Sequence, residues 1–390
     1  MQTAGSGGRA WIYFAIYAAM YGAFGAASPF WPRILETRGL TPQELGLLLG
    51  CGTLVRLVSG PLFGRLADAT RSLPSVLSAC MALAAAFAIC LLLPHGFALL
   101  LLVYLLQAAA LAPLTSLADA LALRGAALLG FQYGWLRGTG SGVFVLGTLA
   151  AGWAIGQFEI VVVVWIHAAL LLCGALLVLA LRSANDASSE VAAGKAGGFR
   201  AIWQIAVFRR ILLVAALVYG SHAVHDAFAM IRWNAAGITP WLTGVLWSEA
   251  VAAEVIMFFL VGPRLIERLG SNGAAALAAA AGILRWTVMG TTTSTIAIAA
   301  VQPLHGFTFA LTHLACMQLM RSIVPQQLAA TGQAAYALSG GLAGVILTML
   351  AGPLYAAYGS LAFLPMAILC AIAVPVAWQG LREIIPARVR

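Results

Sequence analysis

Apolar residues run along this chain in blocks about as long as a bilayer is thick, separated by short polar or glycine-rich turns. A helix needs roughly 20 residues to cross the hydrocarbon core. By that measure the runs predict twelve spanning helices, centred near residues 22, 53, 83, 110, 145, 171, 221, 252, 281, 307, 339 and 370. The first run follows Arg9 and extends to about Trp31, and many spans come after it, so it reads as a transmembrane helix rather than a cleaved signal peptide. The one long polar stretch, Ser183 to Phe199 (SANDASSEVAAGKAGGF), has the composition of a flexible linker and divides six spans from six. The expected fold is an all-α membrane protein with two six-helix bundles, residues 1–182 and 207–390, joined by a cytoplasmic linker at 183–206. An offset of 200 residues lays Gly140, Thr148, Ala151 and Gly152 over Gly340, Thr348, Ala351 and Gly352, as a pseudo-twofold repeat requires. Two repeated bundles imply a substrate site near the midplane between them.

Composition agrees with a polytopic membrane protein. Of 390 residues 62% are hydrophobic and 8% charged, with a mean hydropathy of +0.97, against about 25% charged in soluble domains. An even number of spans puts both termini on one side, and 15 of the 21 basic residues, from Arg9 and Arg65 to Arg388 and Arg390, then fall on that side. Arg33, Arg38 and Arg232 fall on the other. The positive-inside rule makes the termini cytoplasmic, in a bacterial-type inner membrane. The net charge of +9 is explained by this distribution and needs no nucleic acid partner. All six cysteines lie in apolar segments with no CxxC pair, so neither a disulfide frame nor a zinc site is indicated.

The informative residues are the charges inside the apolar runs. Arg137 sits in Tyr133-Gly134-Trp135-Leu136-Arg137, within a run that continues to about Gly156. An arginine at a helix centre costs roughly 2.5 to 3.5 kcal/mol on insertion scales, so it calls for a partner, a wet cavity or a function. Asp119 and Arg137 flank a turn expected near Arg124 to Gly130, which places each about nine residues, roughly 13 Å, from its centre. Arg285 and His305 flank a turn at Thr291 to Ser294 and reach a similar depth from the opposite side. Glu254, in the middle of the eighth span, offers a carboxylate to neutralise Arg285. His305 is a candidate proton relay, since an unperturbed histidine changes charge near neutrality, and His313, eight residues on, lies on a similar face. Glu249 is five residues from Glu254 and faces another way. His222, His225 and Asp226 have metal-ligand spacing but no further ligand cluster, so no metal or cofactor is expected, and Asp226 reads as a cavity or gating charge and a candidate for proton coupling with Glu254, Arg285, His305 and His313. Arg56 is a candidate gate contact or a snorkelling charge. Trp247 and Trp286 are candidates to stack a ring-bearing substrate, although tryptophan at a span end also serves as an interface anchor. Gly138-Thr139-Gly140-Ser141-Gly142 lacks the strand and lysine of a phosphate loop and reads as a helix-packing surface.

Gly64-Arg65-Leu66-Ala67-Asp68-Ala69-Thr70-Arg71 resembles the cytoplasmic loop signature of the major facilitator superfamily, and a degenerate copy, Pro263 to Gly270, follows the eighth span. The resemblance assigns Gly64, Asp68 and Arg71 to a conformational gate, the glycine allowing a tight turn. Pro61-Leu62-Phe63-Gly64, Tyr133 to Arg137, Ile256-Met257-Phe258-Phe259, Leu284-Arg285 and Leu304-His305 resemble the lactose permease and the related 3-phenylpropionate permease family over nearly the whole chain. The resemblance implies that Asp119 and Arg137 hold substrate, while Arg285 and His305 join substrate binding to proton movement. Where the lactose permease pattern has a carboxylate three residues after the histidine, this chain has Thr308, so the proton site does not carry across. Ala253-Glu254-Val255, Arg285-Trp286 and His313 are closer to the phenylpropionate family.

The expected protein is not an enzyme. It is a monomeric proton symporter driven by the proton gradient, taking up a small organic anion such as an aromatic carboxylate. A guanidinium at Arg137 suits a carboxylate. A sugar or nucleoside held by the same pair, or a non-transporting membrane sensor on the same fold, are the alternatives. The fifth span lacks the Gly-Pro pair of drug antiporters, which favours uptake.

Overall fold

The computed structural model describes residues 7–70, 72–93, 96–181 and 199–381. Lipid offers no partner to backbone donors and acceptors, and the α-helix satisfies them within one segment. Among the described residues there is no strand. Ten stretches of the described residues are long and apolar enough to cross a membrane. Two of them, Pro240–Thr291 and Thr331–Trp378, are 52 and 48 residues long, roughly 78 and 72 Å of helix and therefore two crossings each. The first divides at Gly270, with φ 68° and ψ 166°. The second divides at Gly359, with φ 55°, where the 3-10 turn Gly359–Ala362 begins. Both need the left-handed region that only glycine enters without a Cβ clash. The result is the twelve spans that the apolar pattern predicts.

The spans are α1 (Gly7–Ala27), α2 (Pro42–Thr70), α3 (Leu73–Cys90), α4 (Phe97–Leu129, broken at Pro113), α5 (Tyr133–Gln157) and α6 (Val162–Leu181). They continue with α7 (Ala206–Ala235), α8 (240–269), α9 (271–291), α10 (Thr295–Ile323), α11 (Ala329–Tyr358) and α12 (Phe363–Trp378). Short helices at Trp31–Glu36 and Phe199–Trp203 precede α2 and α7. The expected linker at 183–206 is described only from Phe199 onward.

The chain forms two compact units. The first comprises α1 to α6 except Leu45–Gly50, together with Thr239–Val245, and the second takes the rest. Within the first, α1 packs on α5 and α6, and α3 packs on α4 and α6. Within the second, α7 packs on α11 and α12, and α9 packs on α10 and α12. The pairings are the same after a shift of six helices, which is the repeat expressed in packing. The 200-residue offset has a physical counterpart as well. A Cβ on Gly140 would lie 2.8 Å from the ring of Tyr21 on α1, and one on Gly340 would lie 3.2 Å from the ring of Tyr219 on α7. In lipid, helices associate through van der Waals fit and small residues rather than through the hydrophobic effect. Ala23, Ala84, Ala85 and Ala168 accordingly fill the first core, and Ala274, Ala275, Ala278 and Ala279 of α9 fill the second, all 2% exposed or less.

Two expected turns are displaced. The loop between α4 and α5 is Gly130 to Gln132, with Gly130 capping α4 at φ 73°, so Arg124 is helical and the estimate of equal depths for Asp119 and Arg137 fails. Arg137 is the fifth residue of α5, about 6 Å from its start, whereas Asp119 is about 15 Å from the end of α4. Gly64 makes no tight turn, because α2 continues through it to Thr70 and a Cβ there would meet nothing within 4 Å. Asp68 is an exposed residue of the last turns of α2, and Arg71 lies outside the described residues. In the second copy of the signature it is Gly270 that turns the chain.

Candidate functional site

Among the described residues, each unit carries a cluster of polar and charged side chains inside its helices. In the first, α1 carries Tyr13, Tyr17 and Tyr21 at intervals of four, which puts three phenol rings on one face of the helix. The Tyr17 hydroxyl donates to Asp119 Oδ1 on α4. One turn further along α1, Arg137 Nη1 of α5 donates to the Tyr21 hydroxyl, with its guanidinium carbon 4.8 Å from the Tyr21 ring centroid. Tyr133, one turn before Arg137, lies near the same carboxylate. Asp119 and Arg137 are not joined directly: no ion pair within 4.0 Å links them among the described residues. Two tyrosines of α1 hold them side by side, with ring centroids 5.7 Å apart. Arg137 stays exposed and Asp119 half-buried. Arg56 lies elsewhere, on α2, where it donates to the Tyr104 hydroxyl at 3.2 Å.

The second cluster is centred on Arg285 of α9, a fully buried arginine with no carboxylate within 4.0 Å among the described residues. Its donors meet neutral acceptors: His305 Nδ1 at 3.1 Å, Gln302 Oε1 at 3.3 Å and, more weakly, His225 Nε2 at 3.5 Å. A guanidinium only donates, so the contacted nitrogen of each imidazole must be the bare acceptor and the other nitrogen must carry the proton. That second nitrogen faces a carboxylate in both cases. His305 Nε2 is 3.4 Å from Glu254 Oε2, and His225 Nδ1 is 3.2 Å from Asp226 Oδ1. The five side chains form one line, Glu254, His305, Arg285, His225, Asp226. Glu254, expected as the carboxylate for Arg285, reaches it through the His305 imidazole.

The two tryptophans differ in role. Trp247 stacks on His225, with centroids 5.0 Å apart at 23°, and is half-buried. Trp286 is fully buried, its indole N–H donating to Ser221 Oγ at 2.8 Å, so neither of its faces is open to a ligand in this arrangement. His313 lies two turns beyond His305, between Phe258 and Tyr336, each with its ring centroid 5.9 Å away. It stands outside the line. A cavity of about 660 Å³ at the junction of α10 and α11 is lined by Met317, Met320, Arg321 and Gln333 among others, none of them in either cluster. Among the described residues no group of three or more His, Cys, Asp or Glu side chains could hold a metal.

Sequence reasoning missed Tyr17, Tyr21, Gln302 and the part played by His225. The tyrosine stripe was visible as a spacing of four. Gln302 gave no signal, because an uncharged side chain in an apolar run is not conspicuous.

The MFS_1 like family model matches residues 10–364. The probable 3-phenylpropionic acid transporter of Escherichia coli (strain K12) is 32% identical over 359 residues, covering 90% of this chain and 93% of that one. The maltose permease of Geobacillus stearothermophilus is 25% identical over 350 residues, 89% of this chain and 88% of that one. Among solved structures, the nucleoside transporter NupG superposes with a TM-score of 0.79 at 14% identity, covering 96% of this chain and 99% of the other, which speaks to fold alone. The repeated six-helix packing, the charged residues within the spans and the matched length lead to one conclusion: the chain belongs to the MFS_1 like family of transporters, within the major facilitator superfamily.

Proposed function

We propose that this transporter carries a small organic anion, an aromatic carboxylate of the 3-phenylpropionate kind, into the cell together with a proton, across the inner membrane with both termini cytoplasmic. The observation that carries the reading is the line from Glu254 through His305 to Arg285. With the Arg285 guanidinium donating to Nδ1, the His305 imidazole keeps its own proton on Nε2 and turns it toward Glu254, which leaves that carboxylate as the group on this line that takes up a proton. Protonation of Glu254 removes the charge that His305 relays to Arg285, so proton binding alters how that buried cation is held. Arg137, seated on Tyr21 with free edge exposed, supplies the planar fork that recognises a carboxylate in two places at once. One carboxylate plus one proton is a neutral load, which suits passage through an apolar interior. The 32% identical relative supports the substrate class.

A sugar is the second reading, favoured by the maltose permease relative and by the hydroxyl-rich surroundings of Asp119. Uptake of labelled 3-phenylpropionate into proteoliposomes with an alkaline interior decides between them. The expected result is accumulation above the external concentration, collapsed by a protonophore. Binding without accumulation sinks the transport of this ligand, uptake that ignores the gradient sinks the symport, and uptake of maltose in its place moves the substrate to the second reading.

A further inference from the structure

Phe309 of α10 is an aromatic ring left open beside an ion cluster. It follows His305 by one helical turn, inside the π-helical stretch Phe307–Leu311. Its ring stacks on the His305 imidazole, 5.5 Å between centroids at 13°. Tyr219 of α7 supports it from the side at 5.5 Å and 55°. The Tyr219 hydroxyl is itself pinned, bonding the Tyr336 hydroxyl at 2.8 Å and donating to the Phe309 carbonyl at 3.4 Å. Thr308, Ala310 and Leu311 around Phe309 are fully buried, yet Phe309 is 39% exposed. The ring is therefore fixed in orientation and uncovered on the part that nothing packs against.

An exposed phenyl in a membrane protein ordinarily faces lipid, and two observations argue against that here. The stacked partner, His305, is bonded to Arg285 and faces Glu254, an ionic neighbourhood that hydrocarbon does not solvate. Tyr219 is seven residues before Asp226, and the intervening Ser221 and His222 keep right-handed helical backbone, so both side chains lie on one face of α7. The Asp226 side chain is 61% accessible, and a carboxylate that open faces water. Tyr219, on the same face of α7 as that carboxylate, is the ring that packs against Phe309, so the open part of Phe309 borders this polar neighbourhood.

Resting on the reading that the substrate carries an aromatic ring, we propose that the open face of Phe309, oriented by His305 and Tyr219, is the subsite that stacks this ring and sets the preference of the transporter for aryl over alkyl ligands. Offset-stacked and edge-to-face rings gain more than equal areas of saturated carbon, enough for about a three- to tenfold preference between ligands of the same size.

The test measures affinity of the purified full-length protein for matched pairs: 3-phenylpropionate against 3-cyclohexylpropionate, and phenyl against cyclohexyl β-glucoside. The phenyl member is expected to bind about three- to tenfold more tightly, Phe309→Leu to bring the pair to parity, and Phe309→Trp to keep the preference. The two head groups separate this inference from the anion reading. An aryl preference confined to the glucosides and erased by Phe309→Leu upholds the subsite while removing the carboxylate. No aryl preference in the unmodified protein, a preference that survives Phe309→Leu, or its loss in Phe309→Trp overturns the subsite. If Phe309→Leu does not yield folded protein, the Phe309→Trp arm decides.

Discussion

Arg285 is a buried cation whose hydrogen-bond partners are all formally neutral, and the two nearby carboxylates stand one imidazole away, behind His305 and His225. The ends of this line differ in setting. Glu254 has a side chain 25% exposed, whereas that of Asp226 is 61% exposed. A proton carrier needs a partner that changes with its charge and some shelter from solvent, and Glu254 fits better. Glu254→Gln is expected to abolish gradient-driven accumulation while preserving exchange of labelled for unlabelled substrate, and Asp226→Asn is expected to retain both. Uptake and counterflow assays on the two variants check this, and a reversed pattern assigns the proton to Asp226. Arg137→Lys is expected to lower carboxylate uptake by about tenfold or more, on the order of 1.4 kcal/mol, because an ammonium cannot reproduce the planar fork. Immunodetection of equal protein in the membrane and measured uptake rates together check it, and retained transport removes Arg137 from substrate recognition. At this scale the charged residues were legible in the chain, since each is conspicuous in an apolar run. Their partners were not, because a tyrosine or glutamine in such a run looks like ordinary span composition.

Helices carry these residues at contacts so close that single hydrogen atoms matter. The π-helical stretches Met257–Val261 of α8 and Phe307–Leu311 of α10 pack against each other. Glu254 stands just before the first and His305 just before the second. A Cβ on Gly306 would lie 2.7 Å from the Ala253 carbonyl oxygen, so Gly306→Val forces α8 and α10 apart where the carboxylate and imidazole meet. Overpacking of this kind costs about 1 to 3 kcal/mol, and the variant is expected to melt several degrees lower in detergent and to lose proton-coupled uptake. Gly64→Ala is the contrast. Nothing lies within 4 Å of its Cβ and the position is helical, so the substitution is expected to hold or raise the melting temperature, by up to about 1 kcal/mol of helix propensity. Thermal unfolding of both purified variants checks the pair. The spans were readable because a bilayer sets their length and lipid forbids alternatives. Turns were not, since charge suggested a loop at Arg124 and glycine suggested one at Gly64, and both residues are helical. What ends a helix here is a left-handed glycine, at Gly130 and Gly270, and a glycine's conformation is not written in its identity.

Across the whole molecule, one packing scheme is used twice and furnished differently. In the first unit the tyrosine of α1 that nests against the α5 glycine also meets an arginine. In the second, the tyrosine of α7 that nests against the α11 glycine meets another tyrosine and Phe309. The repeat was legible from four small residues 200 apart, and the family match over residues 10–364 bears out the fold. The division of labour proposed here places substrate recognition at Arg137 and proton binding on the line through His305. Its most direct test is the proton itself. Adding 3-phenylpropionate to de-energised, lightly buffered proteoliposomes while recording external pH should produce an immediate alkaline shift, absent in liposomes bearing Glu254→Gln. Substrate entry with no accompanying pH change would contradict the account.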